Sequence, residues 1–329
     1  MTAETMPLLG KPASFTGAIS SAHGKRLPQT IAHRGYKAAF PENSMGAFRG
    51  AVEVGAHAIE TDLHLSKDGV VVLSHDGTLK RCFGIDKKIA DCDWEYLRTL
   101  RTTREPQQSM PRLSDLLEYI AQPGLESIWL LLDIKVDDDG HELLSRVAST
   151  LASVPTPRPW NERIVLGGWN DNYLNLCRTL LPSFPIALIG FSPIYASRFL
   201  SQPDVNFNML QKTLVGPIGS RFIKSVRKSG RSLFLWTVND EEWMEWSIEK
   251  GGDGVITDDP KLFLEVCKRY SGGDGAEERL LSRSGKGRRA IRVANLYLGA
   301  FCLQVLTFVL MALFARRLTG LGRRKDGSI

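Results

Sequence analysis

Short apolar runs that stop in polar residues recur along this chain, most of them spaced widely enough for a helix to fit between neighbours. They predict strands at 29–33, 57–63, 70–75, 127–134, 163–168, 184–190, 205–209, 232–237 and 254–257. Elsewhere the apolar spacing lengthens to three and four, which predicts helices over 44–54, 113–121, 141–152, 218–229 and 240–250. The first is the most fully marked, with Asn43 or Ser44 as N-cap, Met45, Phe48 and Val52 on one face, and Gly55 as the stop. The turn Ser66-Lys67-Asp68-Gly69 is too short for a crossover, so the run at 70–75 returns antiparallel to the run at 57–63. It is the one strand that breaks the alternation with helices. From Thr78 to Pro111 neither period is evident, and this stretch reads as an insertion.

The polar residues at the strand ends carry the chemistry. Thr30-Ile31-Ala32 runs into His33-Arg34-Gly35, and Ala58-Ile59 into Glu60-Thr61-Asp62. Period-two geometry puts Glu60 and Asp62 on one face. Two carboxylates that close repel and raise each other's pKa unless a cation sits between them. A hard divalent ion, Mg2+ or Ca2+, is favoured over zinc because no cysteine or paired-histidine ligand set accompanies them. The hairpin returns His75 beside these carboxylates. The buried-strand run Ile128 to Leu132 ends in Asp133-Ile134-Lys135, which supplies a third carboxylate and a second cation for a phosphate. Two imidazoles, a guanidinium, an ammonium and a carboxylate cluster form the inventory of metal-assisted phosphodiester hydrolysis.

Ordered blocks then identify a resemblance. His33-Arg34-Gly35, Pro41-Glu42-Asn43-Ser44, Glu60-Thr61-Asp62, Asp68-Gly69, His75-Asp76, Leu132-Asp133-Ile134-Lys135, Leu235-Trp236-Thr237-Val238-Asn239 and Ile256-Thr257-Asp258-Asp259-Pro260 resemble the glycerophosphodiester phosphodiesterase signature. They span about residues 29–265, and with the apolar C-terminal tail they are most similar to the fungal phosphatidylglycerol phospholipase C branch. Ser44 stands where the family usually has Thr, and Asp133 where it commonly has Glu, one methylene longer. The resemblance implies a TIM-type (β/α)8 barrel of the α/β class, with the strand at 70–75 as the surplus member and the insertion lying over the barrel mouth. In such barrels active sites lie at the C-terminal strand ends, where His33, Glu60, Asp62, Asp133, Trp169 and Trp236 fall. The implied roles are His33, His75, Arg34 and Lys135 in catalysis, Glu60, Asp62 and Asp133 on the metal, and Trp169, Trp236 and Glu42 with the substrate.

Charge changes the picture at the C-terminus. The chain of 329 residues has a formal net charge of +6, the sign that nucleic-acid binders carry. Ten of its basic side chains fall within 281–329 against a single acid, Asp326, so the rest of the chain is net negative and offers no basic track for a nucleic-acid backbone. These basic residues bracket an uncharged, largely apolar run from Val293 to Ala315, long enough to cross a bilayer of about 30 Å as a helix. The expected layout is a flexible segment at 1–28, a barrel at 29–270, a basic linker at 271–292, a transmembrane or membrane-inserted helix at 293–315 and a basic tail at 316–329. Residues 1–28 show no secretory signal, and five cysteines without a CxxC pair suit a reduced, cytosol-facing barrel.

The expected reaction is acid/base cleavage of a glycerol phosphodiester. His33 and His75 exchange proton-transfer roles, while Arg34 and Lys135 neutralise phosphoryl oxygens. A bilayer anchor favours a bilayer substrate, phosphatidylglycerol first, over a deacylated glycerophosphodiester or a lysophospholipid. A non-catalytic, membrane-tethered lipid binder is the alternative of another class. It has no use for paired proton-transfer groups.

Overall fold

The computed structural model describes residues 13–272, together with parts of a helix between 294 and 305. Eleven strands are present in this part: β1 (Ile19–Ser20), β2 (Arg26–Leu27), β3 (Gln29–His33), β4 (Ala58–Leu65), β5 (Val71–Leu73), β6 (Trp129–Ile134), β7 (Ile164–Gly168), β8 (Ile186–Gly190), β9 (Val205–Leu210), β10 (Leu233–Trp236) and β11 (Gly254–Thr257). Eight of them, β3, β4 and β6 to β11, pair in parallel in that order, and β11 closes on β3. The result is the expected TIM-type barrel. The strand predicted at 70–75 is β5, antiparallel to β4 and outside the eight.

Within residues 13–272 ten α-helices surround the strands: α1 (Met45–Glu53), α2 (Lys80–Phe83), α3 (Trp94–Leu97), α4 (Leu113–Ile120), α5 (Gly140–Ser153), α6 (Asp171–Leu180), α7 (Pro193–Ala196), α8 (Pro217–Lys228), α9 (Glu241–Glu249) and α10 (Pro260–Ser271). Ser44 caps α1, its hydroxyl accepting from the Ala47 N–H. Asp139, the last of three consecutive aspartates, caps α5 in the same way, accepting from the Glu142 N–H. The apolar spacing predicts neither α6 nor α10, nor the four-residue helices α2, α3 and α7. The signals for α10 were present, since Asp259 caps it and Pro260 occupies its first turn, followed by buried Phe263, Val266 and Cys267.

Alternation along the strands builds the site. A buried cluster of Ile31, Ala58, Trp129, Leu131, Val165, Ala187, Phe234 and Ile256 draws on seven of the eight barrel strands. Two residues further along four of these strands stand His33, Glu60, Asp133 and Trp236, on the same face by the period of two. Asp62 lies one more step along β4. The interior thus changes from apolar to ionisable towards the C-terminal ends. A larger apolar cluster, containing Phe48, Leu117, Leu144, Phe222 and Phe263, fills the layer between barrel and helices.

Residues 13–28 depart from the flexible stretch expected at 1–28, of which residues 1–12 lie outside the described residues. Residues 14–16 form a 3-10 turn, and β1 and β2 form a hairpin across the opposite end of the barrel. The Gln29 side chain donates to the carbonyls of Phe15 and Gly17 at 2.7 and 2.6 Å and accepts from the Trp129 indole at 2.8 Å. Phe15 also meets Trp129 edge to face, so the segment plugs the barrel floor. Trp129 lies 100 residues from Gln29 in sequence, which is why local composition does not reveal the plug.

The insertion expected at 78–111 contains α2, α3 and a small core of its own around Leu79, Ile89, Leu97 and Met110. It buttresses the mouth, with Arg104 donating to the carbonyls of Lys37, Ala38 and Phe40. The membrane helix expected at 293–315 lies largely outside the described residues, as do most of the linker and the whole tail. Among the described residues no helix is long and apolar enough to cross a membrane. Its described part, helical at 297–302, packs on the barrel through buried Ala300 and the Tyr297–Trp243 contact.

Candidate active site

Strand β3 ends abruptly, and that ending shapes the pocket. Arg34 adopts a left-handed backbone (φ 57°), as does Gly35 (φ 79°). A Cβ on Gly35 would stand 2.7 Å from the Ala47 backbone, so glycine is required by both conformation and space. The turn lets the Arg34 N–H donate to Glu60 at 2.9 Å. Strand β4 runs on past the end of β3, and β5 pairs with this overhang. The Ser74 N–H donates to the Asp62 carbonyl at 3.1 Å, which delivers His75 to the mouth as predicted.

Glu60, Asp62 and Asp133 converge, with one oxygen of each within 4.8 Å of the others, and all three are buried. Burial and the Asp62 charge push the Glu60 carboxyl well above its ordinary value. Burial raises Asp133 as well. For Asp62, burial is outweighed by Lys135 and Arg34, and its carboxyl is held low. The Lys135 ammonium lies 2.6 Å from both Asp62 and Asp133. The shorter Asp133 side chain therefore still reaches the cluster, and Trp169 donates to it at 2.7 Å. Three buried carboxylates, two of them with raised pKa, are under-compensated by protein cations. Such an all-oxygen set fits a hard divalent cation.

Each histidine is backed by a carboxylate. His33 Nδ1 meets Asp258 at 2.6 Å, and His75 Nδ1 meets Asp76 at 2.8 Å. A carboxylate on Nδ1 selects the tautomer that carries its proton there and leaves Nε2 as the base. Burial lowers the pKa of His33, although Asp258 opposes the shift. Asp258 is in turn held by Asn239, which donates to it at 2.9 Å, and by Lys37 at 3.5 Å.

A ring of charge holds the rim. Glu42 accepts from Arg34 at 2.8 Å and from Arg81 at 2.7 and 2.9 Å, so both its oxygens are occupied by protein cations. Burial would raise its carboxyl, but Arg81 and Arg34 bring it down to about 2. Arg81 also donates to Asp76, linking the two sides of the mouth. Trp169 and Trp236 stand edge to face at 5.9 Å, and Trp236 donates to the Asn208 carbonyl. All ten residues proposed from the sequence therefore lie at one end of the barrel.

Several supporting residues were missed. Asn43, in a left-handed conformation (φ 50°), donates to Asp62 and accepts from Thr61. Buried His64 lies 2.7 Å from Asp138 and contacts the His75 carbonyl at 3.3 Å. Asp76 and Asp258 stand in the sequence blocks, but only their contacts with the two histidines reveal what they do. Asn43 could have been suspected, because asparagine tolerates positive φ and bonds locally.

Comparison with known proteins identifies the family. The profile of the glycerophosphoryl diester phosphodiesterase family matches residues 33–262. A glycerophosphodiester phosphodiesterase of Caldanaerobacter subterraneus is 28% identical over 251 residues, covering 73% of this chain and 97% of that protein. A lysophospholipase D of Homo sapiens is 25% identical over 282 residues, covering 74% and 88%. The crystal structure of a glycerophosphodiester phosphodiesterase from Thermotoga maritima superposes with a TM-score of 0.60 at 26% identity, over 73% of this chain and 98% of that one. The chain belongs to the glycerophosphoryl diester phosphodiesterase family and is a phosphoric diester hydrolase.

Proposed function

We propose that this family member cleaves a glycerophospholipid held in a bilayer, phosphatidylglycerol first, to diacylglycerol and glycerol phosphate, and that the chain after residue 272 attaches it to that bilayer. Two carboxylate-backed imidazoles flanking the Glu60, Asp62 and Asp133 cluster carry the hydrolytic part of this reading. The uncharged run from Val293 to Ala315, bracketed by arginines, supports the lipid part.

Glu60, Asp62 and Asp133 would hold Mg2+ or Ca2+, which when bound supplies polarisation of a phosphoryl oxygen. Lys135 and Arg34 border the same carboxylates and offset charge on the remaining phosphoryl oxygens. His33, kept neutral by burial, suits the base. Its Nε2 removes the proton from the attacking oxygen, whether water or the neighbouring glycerol hydroxyl, while Asp258 steadies the resulting imidazolium. As the phosphorus–oxygen bond to the leaving glyceride breaks, His75 donates a proton to its alkoxide. Attack by the glycerol hydroxyl would give a cyclic phosphate, which water then opens with the two roles reversed. The T-shaped Trp169–Trp236 pair supplies an apolar wall for the glyceryl carbons.

Likeness to a lysophospholipase D favours lysophospholipid as the second substrate. Mass analysis of products from the purified full chain, given phosphatidylglycerol, lysophospholipids and glycerophosphoglycerol in parallel, tests the assignment. Diacylglycerol with glycerol phosphate is expected from the first. Turnover of glycerophosphoglycerol alone would overturn the lipid reading and leave the phosphodiesterase.

A further inference from the structure

Single exposed apolar side chains are common on protein surfaces, so their distribution matters more than their number. Among the described residues ten large apolar side chains are exposed. Four of them, Val136, Phe191, Ile194 and Ile218, fall on segments that leave the C-terminal ends of β6, β8 and β9. In a parallel barrel all such segments open onto the catalytic end. Ile194 and Ile218, each 57% exposed, occupy the first turns of α7 and α8. Ile19, by contrast, lies in the hairpin at the opposite end of the barrel.

The other cluster belongs to the helical stretch after residue 294. Tyr297, Leu298, Phe301 and Val305 are exposed, and their spacing places them within about 100° of one another around a helix. Ala300 and Gln304 on the adjoining arc face the protein. Gln304 donates to the carbonyls of Lys212 and Val215, which lie between β9 and α8 at the catalytic end. Tyr297 meets Trp243 in the first turn of α9, the turn that follows β10. This stretch is therefore docked on the same rim, with its apolar arc turned outward. In sequence it lies within the uncharged run that ends at Ala315, before Arg316 and Arg317.

We propose that the rim formed by Phe191, Ile194, Ile218 and the outward arc of the 297–305 stretch rests on the surface of a phospholipid bilayer, with the barrel mouth facing the lipid. The occupant is the bilayer because the rim is continuous with a chain segment whose length and lack of charge suit hydrocarbon. The pocket then meets a lipid head group without the glyceride having to leave the membrane. This inference rests on the membrane-lipid reading above and adds an orientation to it.

Full-length chains carrying Cys302→Ser and one introduced cysteine, Ile194→Cys, Ile218→Cys or Ile19→Cys, can be labelled with a thiol-reactive bimane. The remaining cysteines are buried or half-buried. The probe surface is phosphatidylcholine/phosphatidylglycerol vesicles containing a spin-labelled lipid. Labels at 194 and 218 are expected to shift to the blue and be quenched, whereas the label at 19 is not. Equal signals at all three positions on a chain that floats with the vesicles would overturn the orientation but leave membrane attachment standing. Failure to float would remove both. Shielding of the 194 label by increasing protein concentration without vesicles would assign the rim to a second copy and overturn the proposal. In parallel, Ile194→Asp with Ile218→Asp should leave hydrolysis of soluble glycerophosphoglycerol unchanged and lower that of vesicle phosphatidylglycerol by about tenfold. Equal rates on vesicles would count against the rim. A wild-type chain inert on vesicles yet active on the soluble diester would instead remove the substrate assignment, with the quenching pattern still deciding the orientation.

Discussion

Glu60→Gln should have opposite effects on the protein with and without a divalent cation. In the wild type the Glu60, Asp62 and Asp133 oxygens lie within 4.8 Å, where one pair of unit charges repels by about 3 kcal/mol at an effective dielectric of about 20. Arg34 and Lys135 offset part of this, leaving about 1–2 kcal/mol of net strain on ionised Glu60. Glutamine removes the charge and keeps an oxygen to accept the Arg34 N–H. In chelator the variant should therefore melt about 2–8 °C higher than the wild type. At a cation concentration about 100-fold above Kd, binding adds about 2.7 kcal/mol to the wild type, an increment the variant should largely lose together with activity. The pH dependence has a definite sign. A carboxyl whose folded-state pKa is raised binds its proton more tightly when folded, so its contribution is present at low pH and is lost as pH rises from about 4.5 through the raised value. Metal-free wild type should lose stability relative to the variant over that interval. Differential scanning fluorimetry with chelator, Mg2+ and Ca2+ across pH measures all three effects. Equal cation-induced shifts in the two proteins would refute the carboxylate-cluster argument.

Other expectations follow from neighbouring contacts. His33→Ala and His75→Ala should each lower kcat by about 10²-fold or more with the melting transition retained, and near wild-type turnover of either would remove that imidazole from the mechanism. Because burial lowers the His33 pKa, the acid limb of the kcat profile should lie below pH 6.5. Asp258→Asn should move it lower still, since the group that opposes the shift is gone. Asn43→Ala loses the donor to Asp62 and the acceptor for Thr61, and leaves alanine at φ 50°; a cost of about 1–3 kcal/mol in chemical denaturation, with weaker cation binding, is expected. Truncation after Tyr270 keeps every strand and site residue, so hydrolysis of a dispersed substrate should survive while vesicle binding is lost. Continued flotation of the truncated chain would place the membrane contact elsewhere.

Much of this protein could be read along the chain because the relevant physics is local. Apolar runs ending in polar residues marked each barrel strand to within two residues, and the period of two put Glu60 and Asp62 on one face. The brevity of Ser66–Gly69 forced the antiparallel return that carries His75 to the mouth. The Ser44 cap is equally local. Tertiary structure alone decided what closure brings together. Asp258, 225 residues from His33, becomes its partner only because β11 pairs with β3. Arg81 reaches Glu42 from the insertion, and Gln29 ties residues 15–17 to the barrel floor. Spacing along a strand fixes the face on which a side chain stands. Which charge lies opposite depends on how the sheet closes, and that partner sets the tautomer, the pKa and hence the role of each site residue.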